Sequence, residues 1–138
     1  MSLQLSDQLI KTLLRKSETI AIVGLSPKPE RPSNAVAAYL IDHGYNVIPV
    51  NPGQHEILGR TCYPDLTSIP VEVDIVDIFR KALDVSPSVH QALKIGARAI
   101  WMQLGIVNEA AARLAEDSGL VVIMDRCLKI DHSRLLSR

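Results

Sequence analysis

The sequence predicts an α/β fold in which a five-stranded, mainly parallel sheet is covered by helices on both faces. Three observations lead there. Short apolar runs alternate along the chain with helical patterns. The runs are almost continuously apolar, as in strands buried on both faces, and do not alternate apolar with polar. Turn and helix-stop residues, among them Gly24, Gly44, Asn51-Pro52-Gly53, Gly96 and Gly119, separate the segments.

A chain of 138 residues supports one sizeable core and is too short for two ordinary domains, so residues 1–138 read as a single domain. Fifteen basic and fifteen acidic side chains cancel, which leaves no global field to hold nucleic acid or an anionic membrane. Any anion must be bound locally. Two cysteines, Cys62 and Cys127, without a secretory pattern, point to a cytoplasmic protein with reduced thiols. No apolar run approaches the roughly 20 residues of a membrane span, so a soluble chain is expected.

Taken in order, Leu5, Ile10, Leu13 and Leu14 share one face of a first helix. Ser6 or Asp7 is its cap, and Lys11, Arg15 and Lys16 lie toward the end that favours cations. Residues 20–24 form a strand that stops at Gly24. A loop of Ser, Pro, Lys and Arg leads to a helix over 33–43, with Ser33 as the expected N-cap and Gly44 as the stop. The β-rich run 45–50 ends at the 51–53 turn, completing a right-handed parallel unit. Residues 54–70 are less regular, with a short strand within 57–63 and a helical turn over 66–69 between Pro64 and Pro70. The run 71–79 is a third major strand and ends in Arg80 and Lys81. Asp84 or Ser86 opens the next helix, which carries Val85, Val89, Ala92, Leu93 and Ile95. Residues 97–102 form a strand, 103–107 a loop, and Asn108 caps a helix ending at Gly119. Residues 120–124 form the last strand, and 125–130 lead into a short helical tail. No internal repeat or linker divides the chain.

Ligands of open α/β sheets bind outside the carboxyl ends of the strands, near the point where strand order reverses. The segments after the strands are therefore the site candidates. The first joins a strand to a helix N-terminus, whose free N–H groups and dipole favour an anion. A nicotinamide dinucleotide is the obvious fold-level guess, but Gly24 is followed by Leu25-Ser26-Pro27, without the second and third glycines of G-x-G-x-x-G. The acid that would hold an adenosine ribose is also missing, since Val50-Asn51-Pro52 stands at its place. Another phosphate-bearing ligand fits better, because Ser26, Lys28, Arg31 and Ser33 all offer donors beside that helix start.

Five blocks then carry a resemblance. They are VGLSPKPERPS from Val23, HGYNVIPVNP from His43, VDIFR from Val76, WMQLG from Trp101 and MDRC from Met124. In order and spacing, from about residue 14 to 133, the chain resembles the small stand-alone coenzyme A binding proteins, whose domain also forms the nucleotide-binding part of the succinyl-CoA synthetase α subunit and its acyl-CoA synthetase relatives. The resemblance implies a Rossmann-like three-layer sandwich. It further implies that Gly24, Ser26 and the loop of Lys28-Pro29-Glu30-Arg31 approach the phosphates, with Ser33 and Asn34 at the helix start. By the same likeness Asn51 and Pro52 flank the adenosine end, Phe79 and Arg80 line the middle, and Gln103, Leu104 and Gly105 lie nearer the pantetheine arm. The larger synthetases phosphorylate a histidine in a second domain and bind substrate in a further one, and this chain has room for neither.

The expected function is thus a binding module that holds coenzyme A or an acyl derivative, with no identifiable nucleophile, base or metal site. Two alternatives stand beside it: a coenzyme-binding subunit for an acyl-CoA synthetase-type partner, and a redox sensor binding a nicotinamide nucleotide. Self-association is left open. Phe79 and Trp101, the only Phe and Trp, read as core or pocket-wall residues. The four histidines, His43, His55, His90 and His132, are scattered without triad spacing. Cys127 is ordinarily a buried cysteine, but Arg126 beside it would favour a thiolate able to exchange with the coenzyme thiol.

Overall fold

The computed structural model describes residues 6–136. In chain order the elements are α1 (Asp7–Lys16), β1 (Thr19–Val23), α2 (Pro32–Asp42), β2 (Asn46–Val50), β3 (Glu56–Ile57), β4 (Arg60–Thr61), β5 (Ile75–Ile78), α3 (Ser86–Lys94), β6 (Ala99–Met102), α4 (Glu109–Asp117), β7 (Val121–Met124) and α5 (Leu128–Leu135), with 3-10 turns at Leu66–Ser68 and Ala82–Asp84. Five strands make one parallel sheet in the order β2-β1-β5-β6-β7. The chain starts in the second position, moves outward to β2, and then crosses back to build the other side. The reversal falls between β1 and β5, which is where such sheets bind ligands.

Residue alternation divides each strand between two cores. Ile20 and Ile22 of β1, Ile75 of β5 and Trp101 of β6 pack with Ile10 and Leu14 of α1, Val36 and Leu40 of α2, and Leu128 of α5. Ala21, Val23, Val76, Ile78 and Met102 face the other way, onto Val85, Val89 and Ala92 around α3 and Ala111 and Ala115 of α4. The expected three-layer, Rossmann-like α/β arrangement is therefore present. Helix ends follow their capping chemistry: Ser6 Oγ accepts the Leu9 N–H at 3.2 Å and Asn108 Oδ1 accepts the Ala111 N–H at 2.9 Å. Leu5 lies outside the described residues.

Three local expectations are corrected. Helix α2 begins at Pro32 with Arg31 as N-cap, so Ser33 lies within the first turn. Proline suits a first helical position because its missing N–H would have had no helical partner there, and this moves the start upstream of Ser33. The third major strand is Ile75–Ile78, not 71–79. Asp74 Oδ2 accepts the N–H groups of Glu18 and Thr19 at 2.8 and 3.0 Å, which ties the preceding segment beneath the amino edge of β1. The short strand expected within 57–63 is a two-residue antiparallel hairpin of β3 and β4, after which Tyr63 forms a single parallel bridge to Val50.

Candidate functional site

At the reversal point three strand ends are stitched together. Gly24 donates its N–H to the Val50 carbonyl and Phe79 donates to the Val23 carbonyl, each at 2.9 Å. Gly24 has φ +82°, and a Cβ there would stand 2.4 Å from the Phe79 carbonyl oxygen. Only glycine tolerates both conditions. The sheet edge is thus closed tightly beneath the loop that follows.

That loop is braced from within. Ser33 Oγ accepts the Ser26 N–H at 3.0 Å, Ser26 Oγ accepts the Lys28 N–H at 3.1 Å, and Asn34 Nδ2 donates to the Ser26 carbonyl at 2.9 Å. From the β2 end, Asn51 Nδ2 donates to the Leu25 carbonyl at 3.0 Å while its Oδ1 accepts the Gly53 N–H at 2.9 Å. Ser33 and Asn34 are buried, and Asn51 is half-buried. These three hold the loop's shape, and Pro52 is exposed beside them. Lys28 and Arg31 stand out into solvent, and Arg31 gives α2 no side-chain cap. Ion pairs among the described residues involve only Asp7, Asp74, Arg98, Arg126, Asp131 and Arg134, so Lys28, Arg31 and Arg80 make none, and neither do Glu30 in the same loop and Asp84, which lines a cavity with Arg80.

Phe79 and Arg80 continue from β5 at the same edge, both half-buried. Arg80 lines a cavity of about 220 Å³ on the α3 side, together with Val23, Val50, Leu66, Ser88 and Gln91. Asp65 also borders it, but hydrogen bonds from the Ser68 and Thr67 hydroxyls hold that carboxyl below its usual range and engage its charge. Gln91 is anchored, its Oε1 accepting the Leu66 N–H at 2.9 Å. Ser88 and Gln91 were missed in the sequence because they lie inside α3. The visible signal was a helix start after a strand end, at Ser86-Pro87-Ser88.

The next strand end is arranged differently from the rest. The Gln103 N–H bonds the Ile78 carbonyl at 3.3 Å, which sets this loop beside Phe79, but its side chain turns inward and Oε1 accepts the Leu128 N–H at 3.2 Å. Leu104 is exposed, and Gly105 (φ +86°) donates its N–H to Asp125 Oδ1 at 2.6 Å. Asp125 itself sits at φ +62°, a strained value for a residue with a Cβ. It opens the candidate segment after the last strand, although the coenzyme likeness gives it no role.

The remaining candidates are placed away from reactive partners. Trp101 is fully buried, its indole N–H on the Arg126 carbonyl at 2.8 Å. Cys127 is the half-buried N-cap residue of α5. Arg126 does not serve its thiol: the guanidinium makes a two-pronged pair with Asp131 at 2.6 and 2.7 Å. Burial opposes ionisation of Asp131, but hydrogen bonds from Arg126 and Arg134 outweigh it and hold the carboxyl below its usual range. No group of three or more His, Cys, Asp or Glu side chains able to hold a metal occurs among the described residues. No helix there is long and apolar enough to cross a membrane. What converges at the carboxyl edge is a braced loop with two free cations, a helix N-terminus, and an arginine-lined cavity.

Comparison with known proteins gives concordant matches. A family model described as a CoA binding domain matches residues 18–133. The uncharacterized protein YneT of Bacillus subtilis is 40% identical over 124 residues, covering 90% of this chain and 92% of its own. The solved structure of a hypothetical protein from Pyrococcus horikoshii superposes with a TM-score of 0.94 at 42% identity, covering 99% of both chains. An ADP-forming acetate–CoA ligase of Archaeoglobus fulgidus is 26% identical over 121 residues; the match takes in 80% of this chain but only 18% of the ligase.

Proposed function

Since the chain belongs to the CoA binding domain family, we propose that it is a single coenzyme-binding domain that holds coenzyme A or an acyl derivative across the carboxyl edge between β1 and β5. The observation that carries this is the loop of residues 24–31. Ser33, Asn34 and Asn51 spend their hydrogen bonds on its backbone, and the cationic side chains of Lys28 and Arg31 are left unpaired beside the start of α2. A pyrophosphate is the group such an arrangement suits, because helix N–H donors and a guanidinium fork meet phosphate oxygens with charge-assisted bonds.

The rest of the coenzyme follows from the same edge. Asn51 and Pro52 flank the adenosine, and the cavity beside Arg80 receives its base. At about 220 Å³ that cavity is below the roughly 300–1,000 Å³ of pockets for whole ligands, which suits one moiety of a long coenzyme. The end of β2 carries Asn51 where dinucleotide folds carry an acid, so no carboxylate at that strand end opposes a phosphate on the ribose. Phe79 lines the crossing, and Gln103, Leu104 and Gly105 border the pantetheine arm. The residues of the site provide binding and orientation, with no assigned nucleophile or base.

Calorimetric titration with coenzyme A tests this. Wild type binds, and Arg31→Ala binds about 10- to 100-fold more weakly, the loss of one charge-assisted contact worth roughly 1.5–3 kcal/mol. Its thermal stability stays unchanged because Arg31 is exposed and unpaired. Equal affinities would remove Arg31 from the site, and absence of wild-type binding would end the reading. The similarity to part of the acetate–CoA ligase supports a second reading, in which the domain supplies coenzyme to a larger ligase chain. Co-purification of such a chain distinguishes the two.

A further inference from the structure

A cluster of titratable rings lies away from the coenzyme site, where α5 crosses the end of α2. The Tyr39 hydroxyl and His132 Nδ1 are 2.8 Å apart. His43 stacks on Tyr39 with ring centroids 4.0 Å apart, and His132 meets Tyr39, His43 and Tyr45 edge-on at 5.4, 5.1 and 5.5 Å. His132 is only 6% exposed. Its sequence neighbours gave no hint of this, since its ring partners lie about ninety residues upstream.

The hydrogen bonds define what protonation would do. His43 Nδ1 lies 2.7 Å from the Tyr39 carbonyl oxygen, which can only accept, so that nitrogen carries a proton in either charge state. His132 Nδ1 instead faces a hydroxyl. In the Nε2–H tautomer of the neutral ring the Tyr39 O–H donates to Nδ1; with a protonated ring Nδ1 becomes a donor and the hydroxyl must turn to accept.

The surroundings disfavour the charge. From α2 and its end come Tyr39 and His43, and from the start of the β2 segment comes Tyr45, whose hydroxyl is already given to the Leu14 carbonyl of α1 at 2.7 Å. From α5 comes Lys129, its Nζ 5.7 Å from the Tyr39 ring centroid. The acids of α5 and α1 are committed elsewhere, Asp131 to Arg126 and Arg134 and Asp7 to Arg134 at 2.8 and 3.0 Å, while Asp42, which ends α2, is exposed and makes no ion pair among the described residues.

We propose that His132 is an acid-sensitive latch: its protonation reverses the Tyr39 hydrogen bond, places a cation among His43, Lys129 and the tyrosine rings, and loosens α5 from α2. Burial, then the charge of His43, hold the His132 ring below its usual range. The contribution of the neutral ring is therefore complete above the ordinary imidazole value of about 6.5 and is lost as pH falls through the depressed folded value. Loosening travels to the carboxyl edge, because the Leu128 N–H at the start of α5 is held by Gln103 and the Arg126 carbonyl by the Trp101 indole. If the edge binds coenzyme as proposed above, acid weakens that binding; the latch itself does not rest on that reading.

Amide hydrogen exchange on the unliganded full chain, from about pH 7.5 to about pH 5 and corrected for intrinsic rates, tests the latch with an NMR titration of the histidine rings. The expected result is a loss of protection in α5 but not α3, following the His132 ring signal, with a parallel change in the emission of Trp101, the only tryptophan. His132→Gln keeps an acceptor for Tyr39 and makes α5 protection independent of pH. An unchanged acid response in His132→Gln overturns the proposal. So does a wild-type His132 ring that titrates at or above the ordinary imidazole value, or α5 protection that stays level while it titrates; these two need no variant.

Discussion

Gly24→Ala isolates the close approach on which the carboxyl edge is built. The new Cβ would stand 2.4 Å from the Phe79 carbonyl oxygen, a backbone atom held in the sheet by the Phe79 N–H bond to Val23. Two costs add. A non-glycine residue at φ +82° costs about 1–2 kcal/mol, and forcing backbone apart in a packed region adds about 1–3 kcal/mol. Gly44→Ala is the control: φ is +91° there, but nothing lies within 4 Å of the added carbon, so only the first cost applies. Thermal unfolding should therefore place the Gly24 variant below the Gly44 variant by roughly 3–10 °C, the second cost converted for a chain of this size. Equal midpoints for the two variants would refute the close approach.

Asp77 is fully buried in β5 with neither carboxylate oxygen partnered, and burial raises its pKa well above the usual carboxylate value. Its contribution is thus best in acid, below about pH 4, and is lost as pH rises through the raised folded value. Asp77→Asn should unfold at higher urea than wild type at neutral pH and lose that slope; a variant with the wild-type pH dependence would contradict this. Burial pushes the Tyr45 phenol up to about 12, so it remains a donor to the Leu14 carbonyl at the end of α1. Tyr45→Phe should cost about 0.5–1.5 kcal/mol in urea unfolding, and an unchanged midpoint would show the bond contributes nothing.

The fold was legible where single segments carry their own signals. Apolar runs ending at Gly24 and at Asn51-Pro52-Gly53 marked β1 and β2, and Asn108 marked the start of α4. Signals failed where a distant residue decides. Val71 and Val73 read as strand, but the bond from Asp74 to the start of β1, 55 residues away, ends the sheet at Ile75. Ser33 has the chemistry of an N-cap, yet Pro32 opens the helix and the serine hydroxyl turns to Ser26. Of the candidate site, Gly24, Ser26, Asn51, Phe79 and Arg80 were legible as strand-end residues. The cavity wall contributed by α3 and the meeting of His43 with His132 depend on helix placement, and the hold of Asp125 on Gly105 on the pairing of β6 with β7, none of which a local pattern encodes.

Thermal unfolding of the purified chain against coenzyme A, AMP and nicotinamide nucleotides tests the central claim most directly. A ligand at about 100 times its dissociation constant adds roughly 2.7 kcal/mol to stability. Coenzyme A should raise the midpoint accordingly, with AMP at the same concentration giving a smaller rise because it lacks the pyrophosphate that the proposed binding mode sets at the 24–31 loop. A rise with nicotinamide nucleotides alone, or none with coenzyme A, would contradict the account.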